Sequence, residues 1–223
     1  AREEEYTASG EPLSGDIVFD DVSFAYESGK PVLANVSFTV PQGSTFGIIG
    51  ATGSGKSTIA CLIDGLYKAD SGTVTIGGRD VKQIPPPTLR DNIGYVLQEG
   101  YIYSRTISEN IAMAKDGADD AEVRRCAKIA CLDDNIAGFA NGYETVVGER
   151  GVTLSGGQRQ RVAIARTIAR ETPYIIFDDS LSAVDSETDA KIRANLAELN
   201  GAATTVIISH RISTVMRADS IIV

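Results

Sequence analysis

The 223-residue sequence lacks tryptophan, contains one histidine, and has fewer basic than acidic residues. It contains no run of about 18 consecutive apolar residues, the length needed for a membrane-spanning helix. Its first residues do not follow the basic and then apolar pattern of a secretory signal. The formal net charge of −9 argues against broad nucleic-acid binding, because such binding requires a basic surface. We therefore expect no nucleic acid among the partners of this chain.

Cysteine is also scarce. The three cysteines, Cys61, Cys126 and Cys131, are an odd number without the spacing of a metal site. We expect them to be small buried thiols in a reducing cytoplasm. The hydrophobic fraction of 43% is enough to form one substantial core.

Strand-like and helical patterns alternate in the first and last parts of the chain, whereas the region from about 99 to 170 is mainly helical. Residues 1–15 are acidic, contain glycine and proline, and are typical of a linker. The pattern predicts an α/β core with a helical insertion and no internal repeat. The predicted strands are residues 17–26, 32–40, 45–49, 73–76, 94–97, 174–177 and 204–208, and the predicted helices are 57–66, 120–130, 155–169, 186–199 and 211–217, with a turn at 27–31.

A glycine-rich segment joins the predicted strand 45–49 to the helix 57–66. The run Gly50-Ala51-Thr52-Gly53-Ser54-Gly55-Lys56-Ser57 fits the pattern G-x-x-x-x-G-K-[ST] of a phosphate-binding loop, although a chance glycine-rich turn is the alternative. Glycines let the backbone curl around phosphate oxygens with its N–H groups pointing inward. Lys56 can reach the β- and γ-phosphates, and the Ser57 hydroxyl can ligate Mg²⁺.

Three apolar strands end in residues suited to phosphate chemistry. Strand 45–49 runs into the phosphate loop, strand 174–177 into Asp178 and Asp179, and strand 204–208 towards His210. Because ligands of open parallel sheets bind beyond the carboxyl ends of the strands, we expect one shared site. Asp178 is the expected holder of Mg²⁺, acting through water, and Asp179 is expected beside the γ-phosphate. Without the loop upstream, two such acids would be ordinary turn residues.

His210 is the only histidine in the chain. A histidine at the end of a strand often only caps the strand or lies at the surface. Its position beside the predicted phosphate site favours a different role. We expect a neutral imidazole that hydrogen-bonds the γ-phosphate and the attacking water.

The run Leu154-Ser155-Gly156-Gly157-Gln158 precedes the predicted helix that ends near residue 169. Ser155 is a good N-cap, and the two glycines leave the first N–H groups of the helix open to an anion. With this run, the chain from about residue 16 to its end resembles the nucleotide-binding domain of an ATP-binding cassette (ABC) transporter. The resemblance implies an α/β fold of the P-loop NTPase (RecA-like) type, with an antiparallel β subdomain and an inserted α-helical subdomain.

The resemblance also implies cofactors and partners. In this family two nucleotide-binding domains pack head to tail, and each ATP with its Mg²⁺ lies between the phosphate loop of one copy and the LSGGQ run of the other. Ser155, Gly157 and Gln158 would therefore act on a nucleotide held mainly by a second nucleotide-binding domain. Transmembrane domains are the other implied partners, and the implied location is the cytoplasmic face of a membrane.

Further site residues follow from the resemblance. Tyr26 resembles the aromatic residue that stacks on adenine, an ordinary strand tyrosine being the alternative. Gln98 resembles the glutamine that touches Mg²⁺ and the attacking water and connects to the transmembrane domain. Residues 182–185, ending at Asp185, resemble the D-loop that couples the two sites, and residues 106–111 and 145–151 resemble exporter segments. The implied ATP-binding residues of the phosphate loop are Gly50, Thr52, Gly53, Ser54, Gly55, Lys56, Ser57 and Thr58, and the implied magnesium-binding residues are Ser57, Gln98 and Asp178.

One position departs from the family pattern. Members that hydrolyse ATP well carry glutamate where this sequence has Asp179. Aspartate is one methylene shorter, which retracts its oxygen by more than ~1 Å, and a misplaced catalytic group can cost on the order of 100-fold in rate. We therefore predict that the catalytic set Asp179, His210 and Gln98 is slow or inactive. The intact LSGGQ run would complete the site of a glutamate-bearing partner, as in a heterodimeric exporter.

Three alternatives stay open. The first is a homodimeric transporter ATPase in which Asp179 is an adequate base. The second is a regulatory module that binds ATP without useful hydrolysis. The third, a soluble ABC ATPase of DNA repair or translation, is disfavoured by the acidic charge and the exporter-like segments. Because residues 1–15 read as a linker and 219–223 as the beginning of a strand, we expect a domain excerpt without its upstream membrane helices and C-terminal extension.

Overall fold

The computed structural model of this protein describes residues 12–27, 29–149, 151–199 and 203–223. Within them lie nine strands and eight α-helices. The strands are β1 (Ile17–Ala25), β2 (Pro31–Val40), β3 (Thr45–Ile49), β4 (Ser71–Ile76), β5 (Arg79–Asp80), β6 (Ile93–Val96), β7 (Tyr174–Asp178), β8 (Thr204–Ser209) and β9 (Ser220–Ile222). The helices are α1 (Lys56–Ile63), α2 (Pro86–Asn92), α3 (Ile107–Ala112), α4 (Asp120–Ile129), α5 (Asp133–Ala137), α6 (Gly156–Ala169), α7 (Ser186–Leu199) and α8 (Ile212–Val215).

The strands form two sheets of different kinds. The first sheet is antiparallel with the order β2-β1-β4-β5, and the second is parallel with the order β6-β7-β8-β3-β9. Strands β7 and β8 are buried almost throughout, as expected for a parallel sheet covered on both faces. The structure thus confirms the predicted α/β fold with an antiparallel β part.

Aromatic stacking joins the two sheets. The ring of Phe38 in β2 lies between Phe19 of β1, at a centroid distance of 4.4 Å, and Phe46 of β3, at 5.3 Å. Both pairs are stacked, and Phe19 and Phe46 are almost fully buried. Stacked aromatic pairs add to the stabilisation from apolar burial. This contact fixes the strand that leads into the phosphate loop against the antiparallel sheet.

Helices α3, α4 and α6 form a second apolar core. Polar contacts fix α3 against α6 within it: the buried side chain of Asn110 accepts a hydrogen bond from Arg166 at 2.7 Å and donates one to the carbonyl of Tyr103 at 3.0 Å. Helix α3 begins with a capping box between Thr106 and Glu109. The helical insertion is therefore held to the parallel sheet through α6, which runs directly into β7.

The boundaries differ from the sequence-based prediction in a few places. The predicted helix 57–66 ends at Ile63, because Gly65 has a left-handed φ of 71° and terminates the helix. Helix α2, which begins among three consecutive prolines, and the two-residue strand β5 were not predicted. Residues 220–222 pair with β3 as the edge strand β9, as their sequence suggests. Most of the proposed linker, residue 28 of the predicted turn and residue 150 of the exporter-like segment lie outside the described residues.

In the part of the chain that the structure describes, no helix combines the length and apolar character required to cross a membrane.

One acidic side chain in this fold predicts a dependence of stability on pH. Asp64, at the C-terminal end of α1, is partly buried, and desolvation raises its pKa from 3.8 to about 6 against the attraction of Arg170 and Arg90. Desolvation therefore outweighs the two arginines. Because the pKa of Asp64 is higher in the folded state than in the unfolded state, ionisation of Asp64 destabilises the fold. This destabilisation is absent below pH 3.8, grows between pH 3.8 and about pH 6, and is complete above about pH 6.

We predict that Asp64→Asn stabilises the chain at pH 7.5. The full pKa shift would correspond to about 3 kcal/mol, which solvent screening at this partly exposed side chain reduces to about 1 kcal/mol, or a few degrees in Tm. The gain should shrink towards pH 4.5 in thermal unfolding experiments. Asp116→Asn, at an exposed loop position, is the control and should show no such trend. Destabilisation by Asp64→Asn at pH 7.5 would show that the arginine contacts dominate.

Candidate nucleotide-binding site

The phosphate loop connects the end of β3 to the first residue of α1. Gly53 and Gly55 adopt positive φ angles of 82° and 93°, which side chains disfavour. A Cβ atom on Gly55 would also lie 2.8 Å from the side chain of Leu33, and one on Gly50 would lie 2.7 Å from the hydroxyl of Ser54. The loop therefore needs its glycines for backbone conformation and for space.

Lys56 is buried and spans the loop. Its ammonium group donates hydrogen bonds to the carbonyl oxygens of Gly50 at 2.9 Å and Ala51 at 2.7 Å. An ammonium group has three donors, so one remains for a phosphate oxygen. The lysine is thus held by the same loop whose N–H groups would surround the phosphates.

Parallel pairing brings three strand ends to one edge of the sheet. Ile49, the last residue of β3, is paired with Ser209 in β8, and Asp178 at the end of β7 is paired with Ile208. The residues that follow these strands surround a cleft of about 320 Å³. The cleft is lined by Tyr26, Val32, Thr52, Gly53, Gly55, Lys56, Ser57, Thr58, Gln98, Asp178, Asp179, Ile208 and His210.

Tyr26 forms one end of this cleft. Its hydroxyl shares a hydrogen bond of 2.9 Å with the hydroxyl of Thr58 in α1, and its ring packs edge-on against Phe24 and Tyr67. Tyr26 as a whole is 39% exposed, which leaves surface free for a planar ligand. The arrangement suits an aromatic platform whose orientation is fixed before the ligand arrives.

The oxygen atoms at the mouth of the loop fit a magnesium ion. The Ser57 hydroxyl donates a hydrogen bond of 2.9 Å to one carboxylate oxygen of Asp178. The side chain of Gln98 is exposed at the same cleft. Among the described residues, no group of three or more histidine, cysteine or acidic side chains is arranged so that it could hold a metal ion. Mg²⁺ bound through one or two protein oxygens, phosphate oxygens and water matches this sparse donor set.

Asp179 has an unusual backbone and a buried carboxylate. Its φ of 47° is left-handed, and its N–H donates to the carbonyl of Ile208 at 2.9 Å. The side chain is 11% exposed, and within the described residues its Oδ1 atom has no hydrogen-bond partner. A buried carboxylate oxygen without a donor is costly, which marks this position as one kept for a ligand or a proton.

His210 contacts both the phosphate loop and Asp179. Its Nδ1 atom lies 3.1 Å from the carbonyl of Gly50, and its Nε2 atom lies 3.8 Å from Asp179 Oδ2. Because a carbonyl only accepts, Nδ1 carries the proton in this contact. A neutral imidazole in this arrangement accepts a proton at Nε2 and cannot donate to phosphate. The predicted contact with the γ-phosphate therefore requires protonation or movement of the ring.

The LSGGQ run lies away from the cleft lining. Ser155 and Gln158 form a capping box at the start of α6, with hydrogen bonds of 3.2 and 2.9 Å. Gly157 faces the segment that holds Asp185, since a Cβ atom there would lie 3.0 Å from the carbonyl oxygen of Ala183. Ser155, Gly157, Gln158 and Asp185 are thus not among the residues that line the cleft at the phosphate loop of their own chain.

Two further polar residues connect the site segments and were missed by the sequence reasoning. Arg211, next to His210, donates to the carbonyl of Val184 at 3.1 Å and to the hydroxyl of Ser186. Gln160 in α6 is 2% exposed; its amide donates to the carbonyl of Leu97 at 2.9 Å and accepts from Gly100 N at 3.1 Å, so that it holds the backbone on both sides of Gln98. In the sequence, only the closeness of Arg211 and Gln160 to motif residues indicated that they could have a role.

Tyr95 was missed as well. It lies in β6, and its hydroxyl donates a hydrogen bond of 2.9 Å to the second carboxylate oxygen of Asp178. Burial, followed by the nearby Asp178 carboxylate, raises the pKa of Tyr95, so the phenol keeps its proton. A polar residue inside a buried parallel strand was the available signal.

The fold and the cleft define a P-loop nucleotide-binding domain. A model of the family described as ABC transporter matches residues 33–182. The chain belongs to this family and is one of its ATPase domains.

Similar proteins include an uncharacterized ABC transporter ATP-binding protein, y4gM, of Sinorhizobium fredii, which is 45% identical over 209 residues, covering 94% of this chain and 36% of that protein. The ATP-dependent lipid A-core flippase of Vibrio parahaemolyticus is 43% identical over 215 residues, covering 96% of this chain and 37% of the flippase. Human ATP-binding cassette sub-family B member 6 is 43% identical over 209 residues, covering 94% of this chain and 25% of the human protein.

Among solved structures, a bacterial Atm1-family ABC exporter with ATP bound superposes with a TM-score of 0.89. It is 38% identical, and the match covers 99% of this chain and 39% of the exporter chain. The present chain thus spans well under half the length of these relatives.

The position of Tyr26 at one end of the cleft predicts that this residue contributes to binding of the adenine base and not to binding of the phosphates. We expect Tyr26→Ala to weaken ATP binding about 5- to 150-fold, the usual contribution of one base–aromatic stack, and Tyr26→Phe to bind ATP nearly as well as the wild type. Inorganic triphosphate lacks a base, so its affinity should not change in either variant. Isothermal titration calorimetry measures the affinity of each variant for ATP and for triphosphate. An equal loss for ATP and triphosphate would show that Tyr26 only supports the phosphate loop.

Proposed function

We propose that this chain is the ATP-binding and ATP-hydrolysing domain of an ABC exporter. It would power export through ATP-driven head-to-tail dimerisation with a second nucleotide-binding domain, at the cytoplasmic face of a membrane and attached to transmembrane domains. ATP and Mg²⁺ are its cofactors. Residues 1–15 would form the linker to the transmembrane domain, residues 16–223 the nucleotide-binding domain, and residues from about 99 to 170 its helical subdomain.

The separation of the two phosphate-recognising surfaces carries this proposal. The cleft around Lys56 contains the loop, Asp178 and His210, whereas the N-terminus of α6 at Ser155 lies outside the lining of that cleft. The first N–H groups of a helix attract an anion, so this second surface is suited to a phosphate held elsewhere. A head-to-tail pair would bring each α6 to the cleft of the other chain. The similarity to an exporter solved with ATP bound supports ATP as the ligand of the cleft.

We propose further that the chain's own site is catalytically weak. The backbone at Asp179 is fixed by hydrogen bonds from its N–H to Ile208 and to its carbonyl from Ser182, so only the side-chain length sets the reach of the carboxylate. Its nearer oxygen stays 3.8 Å from Nε2 of His210. Aspartate tolerates the left-handed φ at this position better than glutamate does. The residue thus suits the backbone, and its short side chain is the reason we expect it to be a weak base.

In this arrangement the site built on Lys56 and Asp178 mostly holds ATP and keeps the dimer together. Ser155, Gly157 and Gln158 then complete the competent site of a partner that carries glutamate at the equivalent of Asp179. Turnover occurs at that second site. A full-length parent that hydrolysed ATP and transported at ordinary rates when purified without another subunit would contradict the heterodimer.

A second candidate is a homodimeric transporter ATPase in which Asp179 works as the base. The buried Oδ1 atom of Asp179 favours it, because an acceptor without a donor is available for a proton. Both candidates share the nucleotide site and differ in the rate at that site.

A single-turnover measurement separates them. With enzyme in excess over Mg-ATP, we expect Asp179→Glu to hydrolyse ATP about 10-fold faster or more, equivalent to about 1.4 kcal/mol of barrier, because the longer side chain reaches the attacking water. Asp179→Asn is the matched control, since it keeps the shape and the tolerance for the left-handed backbone and removes the base. It should fall below the wild type.

All three proteins must first bind Mg-ATP equally. Substantial and equal rates for the wild type and Asp179→Glu would favour the homodimeric ATPase. A wild-type rate as low as that of Asp179→Asn would show that Asp179 does not act as a base at the chain's own site.

A further inference from the structure

Two different donors hold the carboxylate of Asp178. The Ser57 hydroxyl binds one oxygen and the Tyr95 hydroxyl binds the other, each at 2.9 Å. Ser57 belongs to the phosphate loop and its helix, whereas Tyr95 comes from the neighbouring strand β6. The orientation of this carboxylate is therefore fixed from the loop and from the sheet.

The register of the sheet explains why a tyrosine reaches this carboxylate. Tyr95 is paired with Ile176 in β7, and Asp178 lies two residues further along the same strand. Residues two apart in a strand point to the same face and are separated by about 6.6 Å. A phenol extends across that distance, whereas a shorter hydroxyl side chain in β6 would not. Among hydroxyl side chains, the contact at this register is thus specific to tyrosine.

We propose that Tyr95 is a positioning residue for the magnesium ion of the nucleotide site. A Ser57 hydroxyl that ligates a metal does so through an oxygen lone pair, so it keeps its proton and can still donate to one carboxylate oxygen of Asp178. Tyr95 holds the other oxygen from the sheet, and the two donors together fix the direction of the carboxylate. This role rests on the proposed binding of ATP with Mg²⁺ in the same cleft.

Two effects of this hydrogen bond oppose each other. The phenol withdraws charge from the carboxylate, which weakens its attraction for a cation, and it fixes the direction of the carboxylate, which strengthens binding. Loss of an outer hydrogen-bond partner in metal sites usually costs 10- to 100-fold in metal affinity. Orientation therefore outweighs charge withdrawal, and removal of the Tyr95 hydroxyl should weaken the effect of magnesium.

The surroundings of Tyr95 supply a matched control. Tyr95 and Tyr103 line the same cavity of about 410 Å³, together with Met113, Arg166 and Arg170. Tyr103 is 43% exposed and packs under the guanidinium of Arg166, at 5.2 Å from the ring centroid. Tyr103→Phe thus removes a phenol hydroxyl from the same cavity and leaves Asp178 untouched.

The test measures ATP affinity by calorimetry with excess MgCl₂ and again in EDTA, for the wild type, Tyr95→Phe and Tyr103→Phe. The ratio of the two affinities isolates the contribution of magnesium. For Tyr95→Phe we expect this ratio to fall about 10-fold while the affinity in EDTA stays within about twofold of the wild type. Tyr103→Phe should match the wild type in both conditions.

Several outcomes would overturn this role. An unchanged ratio for Tyr95→Phe would show that Asp178 only accepts a hydrogen bond from a partly buried phenol and that this bond does not affect magnesium binding. An equal loss of ATP affinity in EDTA would show a general structural defect. A wild type whose ATP affinity ignores Mg²⁺ would overturn the proposed nucleotide site as well. If Tyr95→Phe does not fold, the ¹³C NMR signal of the Tyr95 Cζ atom in the ATP-bound wild type replaces it: addition of Mg²⁺ should shift that signal, and no shift would refute the role.

Discussion

The in-register parallel pairing of β3, β7 and β8 determines where the chemical groups of this molecule lie. Because the three strands end at one level, the loop after Ile49, the acids after Phe177 and the histidine after Ser209 meet without any long connection. A slip of one residue in β7 would turn Asp178 to the other face of the sheet. The almost complete burial of β7 and β8 opposes such a slip. The packing of apolar side chains in these strands therefore fixes the positions of the polar residues at their ends.

Much of this arrangement could be predicted from the sequence, because the strands are apolar runs and the loop needs glycine for stereochemical reasons. The pattern around Lys56, the acids after β7 and the LSGGQ run identify the fold and the family. Tyr95 could not be predicted as a partner of Asp178. That contact depends on the strand order, in which β6 lies beside β7. Local sequence patterns predict individual strands but do not predict which strands are neighbours in the sheet.

The backbone at Asp179 illustrates a second limit of sequence reasoning. From the sequence, the position differs from a glutamate only by one methylene. The structure adds a left-handed φ and a carboxylate oxygen buried without a donor, and both result from the turn that leaves β7. Left-handed backbone is less unfavourable for aspartate than for longer side chains. The choice of residue here therefore reflects local backbone geometry as well as chemistry.

A continuous chain of contacts joins the cleft to the surface that would serve a partner. His210 touches the phosphate loop, the adjacent Arg211 holds the backbone at Val184, and the neighbouring Ala183 carbonyl abuts Gly157 in the LSGGQ run. Coupling between sites travels through contiguous packed and hydrogen-bonded groups of this kind. A displacement of His210 by a bound γ-phosphate would have to be absorbed by these contacts or passed along them. Under the proposed function, these contacts are the route by which a site that holds ATP and turns over slowly would influence the position of the LSGGQ run.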